Sequence, residues 1–194
     1  MITIPANCWV QIRGQGLDTY PGGTASAAGT VLKANLTGGG TAFRFTPPNQ
    51  HWSVSNFTVQ ISNGSSGSKV FEVQEVSTSQ NDHWTIENIY TVHTGVAVGD
   101  GTIIHITDSQ SFNIVGNRLE GLGTAIYITG NEGNGGGNIR NNKIRPAVGV
   151  AGASGRGILI DGTYPLVEIT IADNIFETAN RGIDATSTDV YPAY

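Results

Sequence analysis

An all-β chain wound as a parallel β-helix is the fold class this sequence predicts, and three observations carry it. Two series of short strand-like segments recur together, Gly and Asn punctuate them, and charged residues are scarce. The first series is an apolar residue, any residue, then another apolar or small one. It appears as FRF at 43, FEV at 71, IHI at 104, IYI at 126, ILI at 158 and IDA at 183, at separations of 28, 33, 22, 32 and 25 residues. The second series is SVSNF, TIENI, NIVGNRL, NIRNNKI and TIADNIF. Its aligned apolar positions, Val54, Ile86, Ile114, Ile139 and Ile171, lie 32, 28, 25 and 32 residues apart.

Both series advance through the same bounded period, so each repeat carries at least two short strands with turns between them. That pattern predicts a solenoid of about six to seven coils, each about 4.8 Å above the last, in a rod about 30 Å tall. Alternation places the flanking residues of each triplet on one face and the middle residue on the other. Gly and Asn supply turns because they tolerate positive φ. An antiparallel sandwich also has many short strands, but it does not require two series to recur in step.

Composition agrees and excludes several function classes. The 27 glycines among 194 residues are about twice the usual share, and charged residues, at 13%, about half of it. Ten basic against 15 acidic residues give a net charge of -5 with no basic stripe, so nucleic acid is not an expected partner. The single Cys8 excludes an internal disulfide framework and a Cys-based zinc site, and reads as a small buried apolar residue. No apolar run is long enough for a membrane helix, and no signal peptide is visible, so no membrane partner is expected. Sequons begin at Asn35, Asn56 and Asn63 and read as chance in an Asn-, Ser- and Thr-rich chain.

The opening ITIPANCWVQIRGQG (Ile2 to Gly16), the following GTVLKA and FRF, and the I-x-x-N-x-[ILF] units IVGNRL, IRNNKI and IADNIF resemble the right-handed parallel β-helix superfamily of pectate-lyase-like and phage tailspike-like proteins. The likeness runs from Ile2 to Ala185 and implies a single-stranded right-handed solenoid over residues 1–185, with 186–194 as a C-terminal tail or assembly extension. These motifs specify architecture, not activity. Tailspike-like relatives assemble as parallel trimers on a virion, and the resemblance implies the same for this chain: a homotrimer in a larger capsid or tail assembly. The chain begins at once with ITIPANCW, without an amphipathic capping helix, so its first strand edge needs other cover.

Relatives that cut polysaccharides place two or three carboxylates on adjacent coils, as acid and base or as calcium ligands. The candidates here are Asp161 and Asp184, with Asp100 and Asp108 bracketing TIIHI. Asp-Gly at 100 and 161 is equally a turn signature. The triplet middles Arg44, Glu72, His105, Tyr127, Leu159 and Asp184 form an expected outward column, in which Glu72 and His105 are adjacent, exposed and able to pass a proton. Tyr127 and Leu159 read as a contact surface. A lyase base could be Arg118, Arg140 or Arg145, but the calcium carboxylates that accompany one are missing, and NEGNGGGN (131–138) holds a single acid, Glu132. No phosphate loop, H-E-x-x-H or nucleophile elbow occurs, and His51, His83, His93 and His105 lack ligand spacing. No cofactor and no metal are expected.

Asn117, Asn142 and Asn174 occupy the same point of successive units and are expected to form a side-chain ladder. The favoured expectation is therefore a structural, trimeric virion protein such as a capsid decoration protein or tailspike fragment. The alternatives are a secreted or tail-borne polysaccharide lyase or glycoside hydrolase acting on an acidic polysaccharide, and an attachment module that binds a surface glycan without cutting it.

Overall fold

The fold is described from a computed structural model for residues 1–4, 9–16, 29–46, 51–74, 81–94, 100–130, 135–147, 155–161 and 168–186. Cys8, Glu132 and residues 187–194 of the expected tail lie outside these. The chain begins with β1 (Ile2–Ile4), β2 (Gln11–Arg13) and β3 (Val31–Asn35), then β4 (Thr41–Phe45) and the long β5 (Ser53–Ser62). Next come β6 (Lys69–Val73) and β7 (Asn81–His93), then β8 (Thr102–Thr107), β9 (Ser109–Val115) and β10 (Arg118–Glu120). β11 (Thr124–Thr129), β12 (Asn138–Arg140) and β13 (Lys143–Arg145) follow. The last are β14 (Arg156–Ile160), β15 (Thr170–Ala172), β16 (Ile175–Phe176) and β17 (Arg181–Ala185).

One sheet stacks β1-β4-β6-β8-β11-β14-β17, every pair parallel. Its register sets Ile2, Phe43, Phe71, Ile104, Ile126, Ile158 and Ile183 in one row, which is the first sequence series extended by a strand at its start. The other sheet has two faces. Ile12, Val54, Ile86, Ile114, Ile139 and Ile171 line the first, through β2, β5, β7, β9, β12 and β15. Leu32, Val59, Thr91, Leu119, Ile144 and Phe176 line the second, through β3, β5, β7, β10, β13 and β16. β5 and β7 run through the corner between the faces, whereas later turns break there into two strands. The chain is thus an all-β parallel solenoid with one core enclosed by three strand faces.

Two columns of left-handed residues make the corners. His51, His83, Ser111, Gly136 and Glu168, with φ from 52° to 61°, precede the first face of the second sheet. Asn56, Asn88, Gly116, Asn141 and Asp173, with φ from 48° to 66°, sit between its two faces. Five successive turns therefore bend at the same two places, and Asn, Asp and Gly dominate the second column because they enter this region at least cost.

Just inside the first corner the core holds an aromatic stack. Phe45 lies on Trp52 (3.7 Å between ring centroids, 7° interplanar), Trp52 on Trp84 (4.8 Å, 2°) and Trp84 on Phe112 (5.0 Å, 13°). Trp84 Nε1–H donates to Ser109 Oγ at 2.6 Å, so this indole is buried without losing its hydrogen bond. The stack ends at Gly137, the next position in the row, where a Cβ would stand 2.4 Å from Phe112 Cζ.

Phe112 fills the space a side chain at 137 would need, which gives a direct test. Gly137→Ala is expected to lower stability by about 1 to 3 kcal/mol through overpacking, read from the urea midpoint. Adding Phe112→Leu to Gly137→Ala should recover part of that loss, whereas additive losses from the two changes would contradict the packing described.

Candidate functional site

The outer side of the first sheet gathers most of the candidate residues. Its register aligns Arg44, Glu72, His105, Tyr127, Leu159 and Asp184 in one column, so the expected row exists as a geometric fact. Its character differs from the exposed column expected. Glu72 is only 3% exposed and Leu159 only 8%. Leu159, between Tyr127 and Asp184, offers little area for contact.

Glu72 is enclosed by its own counterions. Arg44 Nε donates to Oε2 at 2.7 Å, Thr41 Oγ1 donates to the same oxygen at 3.1 Å, and Lys69 Nζ pairs with Oε1. Burial opposes the charge, but the hydrogen bonds and positive charges of Lys69 and Arg44 outweigh it and hold the carboxyl below the usual range. Asp184 repeats the arrangement at the other end of the sheet. Arg156 Nε donates to Oδ2 at 2.9 Å, and Arg181 Nη1 donates to Oδ1 at 2.8 Å and Oδ2 at 2.9 Å. In both triads one cation comes from the acid's own strand, three residues earlier, and the other from the neighbouring strand.

Between the triads lie His105 and Tyr127, their rings stacked at 4.8 Å and 20°. Neither His105 nitrogen has a hydrogen-bond partner among the described residues. Burial, then repulsion from Lys69, pushes its pKa down to about 4, with Glu72 offsetting part of the effect. The ring is therefore neutral at pH 7, and Glu72, held by two cations, is a poor proton partner for it. Tyr127 donates its hydroxyl to Asp161 Oδ2 at 3.4 Å, and burial, then the negative charge of Asp161, raises the phenol above its ordinary pKa.

The structure does not unite the other candidates. Asp161 is exposed and directed to Tyr127, while Asp184 is fixed by two arginines, so the two do not share a common partner. Asp108 is fully buried in the one-residue turn between β8 and β9 with φ 42°, while Asp100 is exposed before β8. Arg118 pairs with Glu120 and lies 4.7 Å over the Tyr90 ring. Arg140 and Arg145 are exposed on different strand faces. Among the described residues no group of three or more His, Cys, Asp or Glu side chains converges as a metal site. No helix among them is long and apolar enough to cross a membrane.

The asparagine row joins three turns at the corner between the faces. Asn117 Nδ2 donates to Asn142 Oδ1 at 3.0 Å, and Asn142 Nδ2 to Asn174 Oδ1 at 2.9 Å. The backbone N–H groups of Ile89, Asn117 and Asn142 donate to the side-chain oxygens of Asn117, Asn142 and Asn174. Each Nδ2 also donates to a carbonyl one turn back: Ile86, Ile114 and Ile139. Where the left-handed residue interrupts the strand, the amide thus takes over the hydrogen bonding of the backbone. In earlier turns the same position is filled by Phe57 and Ile89.

Sequence reasoning missed the counterions that decide the state of Glu72 and Asp184. The signal was present in KVFE (69–72) and RGID (181–184), each with a cation three residues before the acid. No protein-family model matches the chain, and neither a curated protein nor a solved structure matches it.

Asn142, the middle rung, accepts two hydrogen bonds and donates two. Asn142→Ala should cost about 1 to 3 kcal/mol by leaving buried groups unsatisfied, and more than Asn174→Ala at the outer rung; equal unfolding midpoints for both would contradict the ladder. His105 supplies a pH test. Because burial holds its folded pKa at about 4, below the ordinary 6.5 of a histidine, its stabilisation is present above about pH 6.5 and is lost as pH falls towards 4, by roughly 3 kcal/mol. His105→Phe, which keeps a ring against Tyr127, should flatten this part of the stability profile measured by denaturant unfolding.

Proposed function

We propose that this chain is a non-catalytic structural module, a solenoid built to sit in a larger assembly, in the manner of a trimeric virion protein such as a capsid decoration protein or tailspike fragment. The observation that carries the reading is the state of the carboxylates. Glu72 and Asp184 are each clamped by two cations. Glycoside hydrolysis needs one carboxyl held protonated beside another ionised one, and a doubly paired carboxylate is suited to neither proton donation nor nucleophilic attack. The likeness of ITIPANCWVQIRGQG and the I-x-x-N-x-[ILF] units to right-handed tailspike-like β-helices supports the virion setting.

A second reading, an attachment module that binds a surface glycan without cutting it, is favoured by one observation. Tyr127 is partly exposed and carries Asp161 at its hydroxyl, and two residues further along its strand Thr129 pairs with Thr107. An aromatic ring beside a carboxylate and hydroxyls suits a sugar better than an apolar ligand.

The structural reading expects no reducing or unsaturated ends from acidic polysaccharides and, by light scattering at micromolar concentration, a trimer or larger assembly. Asp161→Asn should leave assembly unchanged, and Asp184→Asn should lower stability without altering any polysaccharide turnover. A monomer that releases such ends, with release abolished by Asp161→Asn, would overturn the proposal. Glycan binding without release, lost in Tyr127→Ala, would select the second reading.

A further inference from the structure

Among the described residues, both ends of the solenoid carry strands with a neighbour on one side only. At the leading end these are β1, β2 and β3, and at the trailing end β15, β16 and β17. Apolar exposure is concentrated at the same places. Ile2 is 47% and Trp9 79% exposed at the leading end, and Ile175 is 61% and Ile183 50% exposed at the trailing end. A cleft of about 210 Å³ opens at the leading end among Ile2, Leu32, Ala34 and Phe43. Unpaired, apolar strand edges are templates for further pairing.

We propose that the two ends are complementary, and that copies of this chain associate head to tail, the leading end of one seated on the trailing end of the next. The register supports a second copy as the occupant. Carried one step further, the row ending in Ile183 receives Ile2 and the row ending in Ala185 receives Ile4. Ile171 receives Ile12, and Phe176 receives Leu32. Each is the apolar-on-apolar step made between successive turns within the chain. Charge agrees as well: Lys33 enters the row that ends in Glu177, which is half-exposed and paired so far with Lys143. Strand direction sets the polarity. All described strands pair in parallel, and only a leading end on a trailing end keeps that sense, whereas two like ends would meet antiparallel. Such a junction is heterologous and does not close, so it builds linear chains of copies. It does not rest on the function proposed above.

Sedimentation velocity of the full chain over a range of micromolar concentrations tests it. The wild type is expected to gain mass in steps of one chain as concentration rises. Ile183→Lys at one end and Ile2→Lys at the other should each abolish this growth. An equal mixture of the two variants retains one intact leading end and one intact trailing end, and should give a species of two chains and nothing larger. Lys33→Glu alters no packed side chain and should weaken association severalfold, which keeps the test valid if an isoleucine variant fails to fold. A wild type of constant mass, or growth unaffected by these substitutions, would overturn the inference. A closed trimer untouched by Ile2→Lys and Ile183→Lys would do so while leaving the structural-module reading intact.

Discussion

Parallel stacking in register is the constraint from which the other features of this chain follow. Each residue lies about 4.8 Å from its counterpart in the next turn, so a side chain is judged against copies of its own position. Apolar β-branched residues satisfy this in the long rows of isoleucine and valine. Aromatic rings satisfy it by lying flat on one another, from Phe45 through Trp52 and Trp84 to Phe112. Amides satisfy it by donating along the row, as Asn117, Asn142 and Asn174 do. A lone charge does not, because its nearest repeats would repel it, and the chain breaks its charged column into triads of unlike residues.

What could be read from the sequence divides along the same line. Rows made of one residue class were legible: the isoleucine series and the asparagine row both emerge from alignment of the repeats. The place of Ile2 in the first series escaped because it precedes Phe43 by 41 residues, well beyond the period of the later turns. The first corner escaped because its left-handed positions hold His51, His83, Ser111, Gly136 and Glu168, which share a backbone conformation and no side-chain chemistry. The aromatic stack had a signal in the repeated His-Trp at 51 and 83, 32 residues apart like Val54 and Ile86, but its continuation to Phe112 and Gly137 changes residue type at each step. The outward column was correctly aligned, yet its exposure was not legible, since Glu72 and Asp184 are each closed over by one cation of their own strand and one from the adjacent strand, and the second depends on register.

The electrostatics of the first sheet follow from that closure. Burying a carboxylate costs several kcal/mol unless it is well paired, and the triads meet the condition with two cations for each acid. Removing one cation leaves the acid less well compensated, so the triads fix side chains more than they add net stability. Between them the uncharged His105 and Tyr127 form the one stacked aromatic pair described on this side of the sheet. The face thus carries paired charges towards both ends and an uncharged aromatic pair between them.

A solenoid differs from a closed globule in where its unsatisfied surface collects. Lateral faces can be completed by side chains, as the triads illustrate, but no side chain completes an end, because among the described residues the next strand is missing there. Interior turns are covered on both sides and reach zero exposure at Ile86, Ile104, Ile114 and Ile126. The row of Ile104 and Ile126 rises to about half-exposure at its ends, Ile2 and Ile183. Stability must therefore decline from the middle of the stack to its ends, by the nearest-neighbour logic of repeat proteins. Whatever binds an end returns to it the coupling that an interior turn already has, so binding there and folding there are energetically one event.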